Sequence, residues 1–208
     1  MSKESGYLIL KQHYEGKLEQ YGDSHLGVDW PDKDDADTRY RIMTELWPMG
    51  QHVSVTDFGC GLSHFFEYLQ GNDIAANYCG VDISGDFIAA SHKKYPANRY
   101  IHADILTSPA ALPVSDYLVA NGVFTEKLSM SHEDMWKWVQ QMLSILFSKV
   151  EKGIACNFMS CNVEWERDDL FHLSLDKLTN FITAKLGRSF VIRNDYGLYE
   201  FTVYIYRE

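Results

Sequence analysis

The chain has 208 residues, 19 Lys and Arg against 29 Asp and Glu, and a net charge of −10 at pH 7. That length suits one domain of ordinary size, and 46% hydrophobic with 23% charged residues excludes a chain that is disordered throughout. The acidic balance, with the stretch Asp32 to Asp37 as its densest part, excludes the broad basic footprint of a protein that grips nucleic-acid backbones.

In chain order, Tyr7–Tyr21 carries apolar residues at Leu10, Tyr14, Leu18 and Tyr21, the spacing of an amphipathic helix. A polar, turn-rich stretch runs from Gly22 to Asp37, and Arg39–Trp47 reads as a second helix stopped by Pro48 and Gly50. From Val53 onward strands and helices alternate. Val53–Phe58 is a short β-branched strand, Leu62–Leu69 a helix, Ala76–Ile83 a strand, and Ser84–Tyr95 a helix stopped by Pro96. Arg99–Ala103 and Asp116–Ala120 are strands, the second closed by Asn121-Gly122. His132–Val150 is a long helix with Met135, Trp138, Val139, Met142, Ile145 and Leu146 on one face. The strand Gly153–Met159 and the helix Asp176–Leu186 follow. Ser189–Arg193 and Tyr199–Tyr206 flank Asn194-Asp195-Tyr196-Gly197, a hairpin signature. The alternation predicts an α/β fold, a parallel sheet covered by helices on both faces, closed by one antiparallel strand.

The four cysteines, Cys60, Cys79, Cys156 and Cys161, form no C-x-x-C pair, so free buried thiols in a reducing compartment are expected rather than a zinc site. Met1–Gly16 lacks the apolar core of a secretory leader, and no stretch approaches the ~18 consecutive apolar residues of a membrane span. The expectation is a cytoplasmic protein with no membrane partner. No H-x-x-x-H or H-E-x-x-H spacing occurs, so no metal is expected.

The central feature is Asp57-Phe58-Gly59-Cys60-Gly61-Leu62-Ser63, between a strand and a helix. Two glycines let the backbone turn tightly and approach a ligand, and the helix start behind them offers free N–H groups. A dinucleotide loop wants G-x-G-x-x-G, but the last position here is His64, and no P-loop pattern is present. Alone, the motif also reads as a plain strand-to-helix turn. Two acids sharpen it. Asp82, followed by Ile83, ends the second strand, where a carboxylate accepts from both ribose hydroxyls. Asp104, followed by Ile105, ends the third, where it can accept from an exocyclic adenine amine. Each acid alone could cap a helix; together they line one adenosyl ligand.

On these residues the chain resembles the class I S-adenosylmethionine-dependent methyltransferases over about residues 50 to 208. Asp57-x-Gly59-x-Gly61 looks like their first motif, with Ser63 at the third small position, Asp82 like their ribose acid and Asp104 like their adenine-side acid. The resemblance implies a Rossmann-like three-layer sandwich around a seven-stranded, mostly parallel sheet whose last strand is antiparallel. It implies S-adenosyl-L-methionine as cofactor and a division into an N-terminal helical cap, 1–50, and a methyltransferase domain, 51–208, forming one domain. Gly27-Val28-Asp29-Trp30, Arg39, Phe124-x-x-Lys127 and Asp195-Tyr196-x-x-Tyr199-Glu200-Phe201-Thr202 resemble a bacterial subfamily for which no acceptor is fixed.

Methyl transfer needs alignment of nucleophile, methyl and sulfur, and a base only where the acceptor arrives protonated. Asn121 is expected at the methionine end of the cofactor; the Pro-Pro that often follows such a residue in nucleobase and glutamine N-methylating enzymes is absent. The expected acceptor is a small molecule, methylated at O or N. His172, beyond the charged loop Cys161–Phe171, is the one candidate base. Trp30 and Arg39 are expected at the cleft, Arg39 against the methionine carboxylate. The readings weighed beside this one are a nicotinamide-dependent (NAD) oxidoreductase and a non-catalytic cofactor-binding module.

Overall fold

The structure is a computed structural model that describes residues 6–208. The first residues of the segment tested for a leader, 1–5, lie outside the described residues.

Helix α1 spans Leu8–Tyr21 and is followed by a short 3₁₀ turn at His25–Val28. Helix α2 spans Lys33–Thr44, starting well before the Arg39 expected from the sequence. The cause is Asp32, whose carboxylate accepts from the N–H groups of Asp34 and Asp35, while those acids favour the positive end of the helix. The acidic stretch is therefore a first helical turn, not a loop.

The strands are β1 (Val53–Phe58), β2 (Ala76–Asp82), β3 (Arg99–His102), β4 (Ser115–Ala120), β5 (Val150–Ser160), β6 (His172–Leu173), β7 (Phe190–Arg193) and β8 (Glu200–Tyr206). Between them run α3 (His64–Gly71), α4 (Gly85–Lys94), α5 (His132–Phe147) and α6 (Leu175–Lys185). The sheet order is β3-β2-β1-β4-β5-β8-β7, and β8 is antiparallel to both neighbours. The two-residue β6 pairs in parallel with the end of β5 and is too short for periodicity to reveal. This is the expected mixed sheet with its last strand reversed.

Alternation along each strand sends side chains to opposite layers. In β4, Leu118 and Ala120 join the core with Val139, Leu143 and Leu146 of α5, while Tyr117 and Val119 join the core with Ile42, Met43 and Phe65 of α2 and α3. Val53, Val55, Leu118, Val119 and Ile154 are all essentially inaccessible, which fixes the register of the central strands. Among the described residues, no helix is long and apolar enough to cross a membrane.

Candidate functional site

The carboxyl ends of β1, β2 and β4 share one sheet edge, and β1 sits between β2 and β4, where the strand order reverses direction. Open α/β sheets leave a crevice at that point. Here the crevice is a cavity lined by the turn after β1, the ends of β2 and β4, the segment after β3, and residues of α1.

The turn after β1 is braced from β2. Gly59 and Cys60 donate their N–H groups to Val81 O at 2.8 and 3.2 Å. Asp82 Oδ2 accepts from Gly61 N–H at 2.9 Å, and its Oδ1 accepts from Ser84 N–H at 2.8 Å. Gly59 has φ 73°, and a Cβ there would lie 2.6 Å from Val123 Cγ2, so only glycine lets the turn lie against the segment after β4. Asp57, 3% exposed, accepts from the Tyr78 hydroxyl at 2.6 Å. Burial pushes its carboxyl up to about 7 against that hydrogen bond, and the neighbouring Asp82 charge adds to the rise. Burial also pushes Asp82 up, opposed by the N–H groups of Ser84, Gly61 and Ile83.

Helix α1 forms the roof. Tyr7, Leu10 and Tyr14 line the cavity. The Tyr7 hydroxyl donates to Asp104 Oδ2 at 2.8 Å, and its ring stacks on Trp138 with centroids 6.1 Å apart. Ser84 Oγ donates to Glu15 at 2.7 Å. His13 and Lys17 hold the two oxygens of Asp29 at 2.6 and 2.7 Å, tying α1 to the 3₁₀ turn. Burial opposes the ionisation of Asp29, but the bonds from Lys17 and His13 prevail and hold its carboxyl below the usual range.

The wall after β4 is Asn121, Gly122 and Val123, facing Trp30. Asn121 Oδ1 is buried and has no hydrogen-bond partner among the described residues. Past it, Thr125 Oγ1 donates to Gly122 O, and Glu126 pairs as an isolated bridge with Leu170 of the loop after β5. Burial pushes the Glu126 carboxyl up to about 7, with Asp29 and Asp169 raising it and His13 and Arg167 opposing. Tyr14 feels both Glu126 and Asp82; burial, then those charges, push its phenol up, so it stays protonated.

Of the residues expected at the cofactor, Trp30, Asp57, Gly59, Gly61, Asp82, Ile83, Asp104, Ile105 and Asn121 line this one cavity. Ser63 does not: it is buried behind the turn with φ 58°, and its hydroxyl donates to Tyr100. Arg39 does not: its Nε donates to Glu200 Oε2 at 2.8 Å and its guanidinium lies 4.2 Å from the Trp30 ring. That bond ties its Nε to β8, and Arg39 does not line the cavity. His172 is buried on β6, outside the cavity. Its Nδ1–H donates to Ser160 O at 2.6 Å and its Nε2 accepts from Arg167 N–H at 3.2 Å, so neither nitrogen is left for proton transfer. Trp165, in the preceding loop, is 60% exposed. Tyr7 and Glu126 carry no signal in the sequence; Phe124-x-x-Lys127 flanks Glu126, but nothing local marks it. Among the described residues no group of three or more His, Cys, Asp and Glu could hold a metal ion.

The family described as "Methyltransferase domain" matches residues 56–146, the span from the glycine turn through α5. A Mycobacterium tuberculosis (strain ATCC 25618 / H37Rv) protein named as a methyltransferase, Rv1506c, is 25% identical over 154 residues, covering 73% of this chain and 92% of that one. Among solved structures, magnesium protoporphyrin IX methyltransferase from Synechocystis PCC 6803, with bound S-adenosylmethionine, superposes with a TM-score of 0.68 at 14% identity, covering 100% of both chains. Human N-acetylserotonin methyltransferase, also with that ligand, gives 0.65 at 9% identity, covering 100% of this chain and 60% of that one. Sheet order, glycine turn and these matches support a class I S-adenosylmethionine-dependent methyltransferase.

The cavity fits that class's cofactor, S-adenosylmethionine. Asn121 Oδ1 is a buried acceptor lacking a donor, and the cofactor's ammonium and hydroxyls are donors. Asp57 and Asp82 are two buried carboxyls with raised affinity for protons, which a cationic ligand relieves. Ile83, Ile105 and Leu106 supply apolar wall for a purine.

Proposed function

We propose that the chain transfers a methyl group to an oxygen or nitrogen of a small-molecule acceptor. The observation that carries this reading is the cavity itself, roofed by α1 and lined by Asp57, Asp82, Asp104 and Asn121; beside its Tyr14 stands Glu126, whose carboxyl burial pushes up to about 7. A group of that kind takes a proton from an O–H or N–H⁺ nucleophile near neutral pH. The roof of α1 and the acidic surface favour a small acceptor over a nucleic-acid strand.

In this reading the bound cofactor supplies a methyl group already activated by its sulfonium charge. Asp82, anchored through Gly61 and Ser84, accepts from the ribose hydroxyls, Asp104 accepts from the adenine amine, and Ile83 and Ile105 pack on the adenine faces. Asn121 meets the amino-acid end. Residues 1–50 act as a cap of the same domain as 51–208, with α1 excluding water from the reacting atoms. The buried free thiols of Cys60, Cys79 and Cys156 suit work in a reducing cytoplasm.

The test begins with melting temperature. S-adenosylmethionine at about 100 times its dissociation constant adds ~2.7 kcal/mol, a rise of roughly 5–10 °C for a chain of this size. NAD is expected to give none, and Asp82→Ala to abolish the rise while keeping the unliganded fold. A panel of small hydroxyl and amine acceptors, followed by S-adenosylhomocysteine release, then decides the acceptor class. Turnover on nucleic acid alone would overturn the reading.

A further inference from the structure

A buried polar chain runs behind the cavity wall, and the methyl-transfer reading gives it no role. Arg39 Nε donates to Glu200 Oε2 at 2.8 Å. Asn157 Nδ2 donates to Glu200 Oε1 at 3.1 Å. Gly122 N–H donates to Asn157 Oδ1 at 2.7 Å. Glu200 and Asn157 are 2% and 0% exposed, and Arg39 is buried between Trp30 and Glu200. The chain brings α2, β5, β8 and the segment after β4 to one point.

The chain has a direction fixed by chemistry. Arg39 has only donors, and a carboxylate has only acceptors. Glu200 therefore forces the Asn157 amide to turn its NH₂ toward it and its oxygen the other way, to Gly122. A peptide is planar and trans, so its C=O points opposite to its N–H. With Gly122 N–H drawn inward to Asn157, the Asn121 carbonyl points outward, on the cavity side of a wall that Asn121 and Gly122 both line. Gly122 holds φ 76° there, with the Trp30 ring where a Cβ would stand.

We propose that Arg39, Glu200 and Asn157 are positioning residues: they orient the Asn121–Gly122 peptide so that its carbonyl accepts from the ammonium group of the bound methionyl end. The inference rests on the cofactor being S-adenosylmethionine. It also explains what Arg39 does at a distance from the ligand. Glu200→Gln keeps the shape but breaks the direction. If the new amide gives its oxygen to Arg39, its NH₂ faces Asn157, which must flip and then presents NH₂ to Gly122 N–H. If it gives its oxygen to Asn157, its NH₂ faces Arg39. Either way one buried bond is lost.

The experiment compares two ligands by calorimetry: S-adenosylhomocysteine and 5′-methylthioadenosine, which shares the adenosyl group and thioether sulfur but has no amino-acid end. Glu200→Gln and Asn157→Leu are expected to weaken S-adenosylhomocysteine about tenfold or more. Methylthioadenosine should bind both variants as it binds the wild type, which also shows that the adenosyl site is folded. Equal weakening of both ligands, or no weakening of either, overturns the proposal. If the wild type binds neither ligand, the cofactor reading itself fails and the inference falls with it.

Discussion

Tyr7 and Asp104, 97 residues apart, are joined by a 2.8 Å hydrogen bond that ties the start of α1 over the cavity. The acceptor atom is the Asp104 oxygen left over after Oδ1 takes the Leu106 N–H at 3.0 Å. An adenine amine arriving at Asp104 meets that hydroxyl as a competitor. Tyr7→Phe keeps the ring on Trp138 and removes only the hydroxyl. The unliganded protein is expected to lose about 1 kcal/mol, or ~2–4 °C in melting temperature. Affinity for S-adenosylmethionine should rise a few-fold, because no bond has to be given up. A drop in affinity on titration calorimetry would show instead that the hydroxyl stays in place and supports the ligand.

The wall after β4 makes a steric prediction. At Gly122 a Cβ would lie 2.6 Å from Trp30 Cζ2, and φ is 76°. Gly122→Ala therefore adds a clash to left-handed strain of ~1–2 kcal/mol. We expect the denaturation midpoint to fall and cofactor affinity to fall with it. Trp30→Ala in the same chain should recover the steric part and leave the strain. If the double variant is no more stable than Gly122→Ala corrected for Trp30→Ala alone, the ring is not what confines this glycine.

Asp57 predicts a pH dependence. Its folded carboxyl is pushed up to about 7, above the ordinary value near 3.8. Between those values the folded state holds a proton that the unfolded state has lost, so this contribution is complete below about pH 4 and disappears as pH rises through about 7. Asp57→Asn, which keeps an acceptor for the Tyr78 hydroxyl, should remove up to about 3 kcal/mol of that decline. Urea midpoints at pH 4.5 and pH 8 for both proteins measure it. Parallel slopes would mean that Asp57 is ionised throughout.

What could be read in the sequence was local. Asp57, Gly59, Gly61, Asp82 and Asp104 declare themselves because a strand end, a turn and the residue after it fix where a side chain points. The β8 reversal was legible because Asn194–Gly197 separates two strand-like runs. Arg39 was not legible. Its charge faces Glu200 on β8, and nothing near residue 39 tells a cation which carboxylate it will meet. His172 looked free because β6 is two residues long, and its partners come from elsewhere, Ser160 from the end of β5 and Arg167 from the loop that follows it. Tyr7 and Glu126 were invisible for the same reason: their roles arise where α1, the segment after β4 and the loop after β5 converge.

Glu126 leads to the last prediction. Its carboxyl feels the charges of Asp29 and His13 from the N-terminal side and of Asp169 and Arg167 from the loop after β5, and acts in turn on the Tyr14 phenol. S-adenosylmethionine and S-adenosylhomocysteine differ at the sulfur by a methyl group and a positive charge, so other titrations that treat the two ligands alike cancel in their affinity ratio. As pH rises through about 7, Glu126 becomes an anion and, in the proposed reading, attracts the charged sulfur from the acceptor side. The preference for S-adenosylmethionine is therefore expected to grow about threefold or more from pH 6 to pH 8.5, the scale of a charge pair at several ångströms in a partly hydrated site. Glu126→Gln should flatten that slope. Asp57 titrates in the same range, so Asp57→Asn is the control, and it should leave most of the slope in place. A slope unchanged in Glu126→Gln and abolished in Asp57→Asn would move the base from the acceptor side to the glycine turn and remove Glu126 from the chemistry.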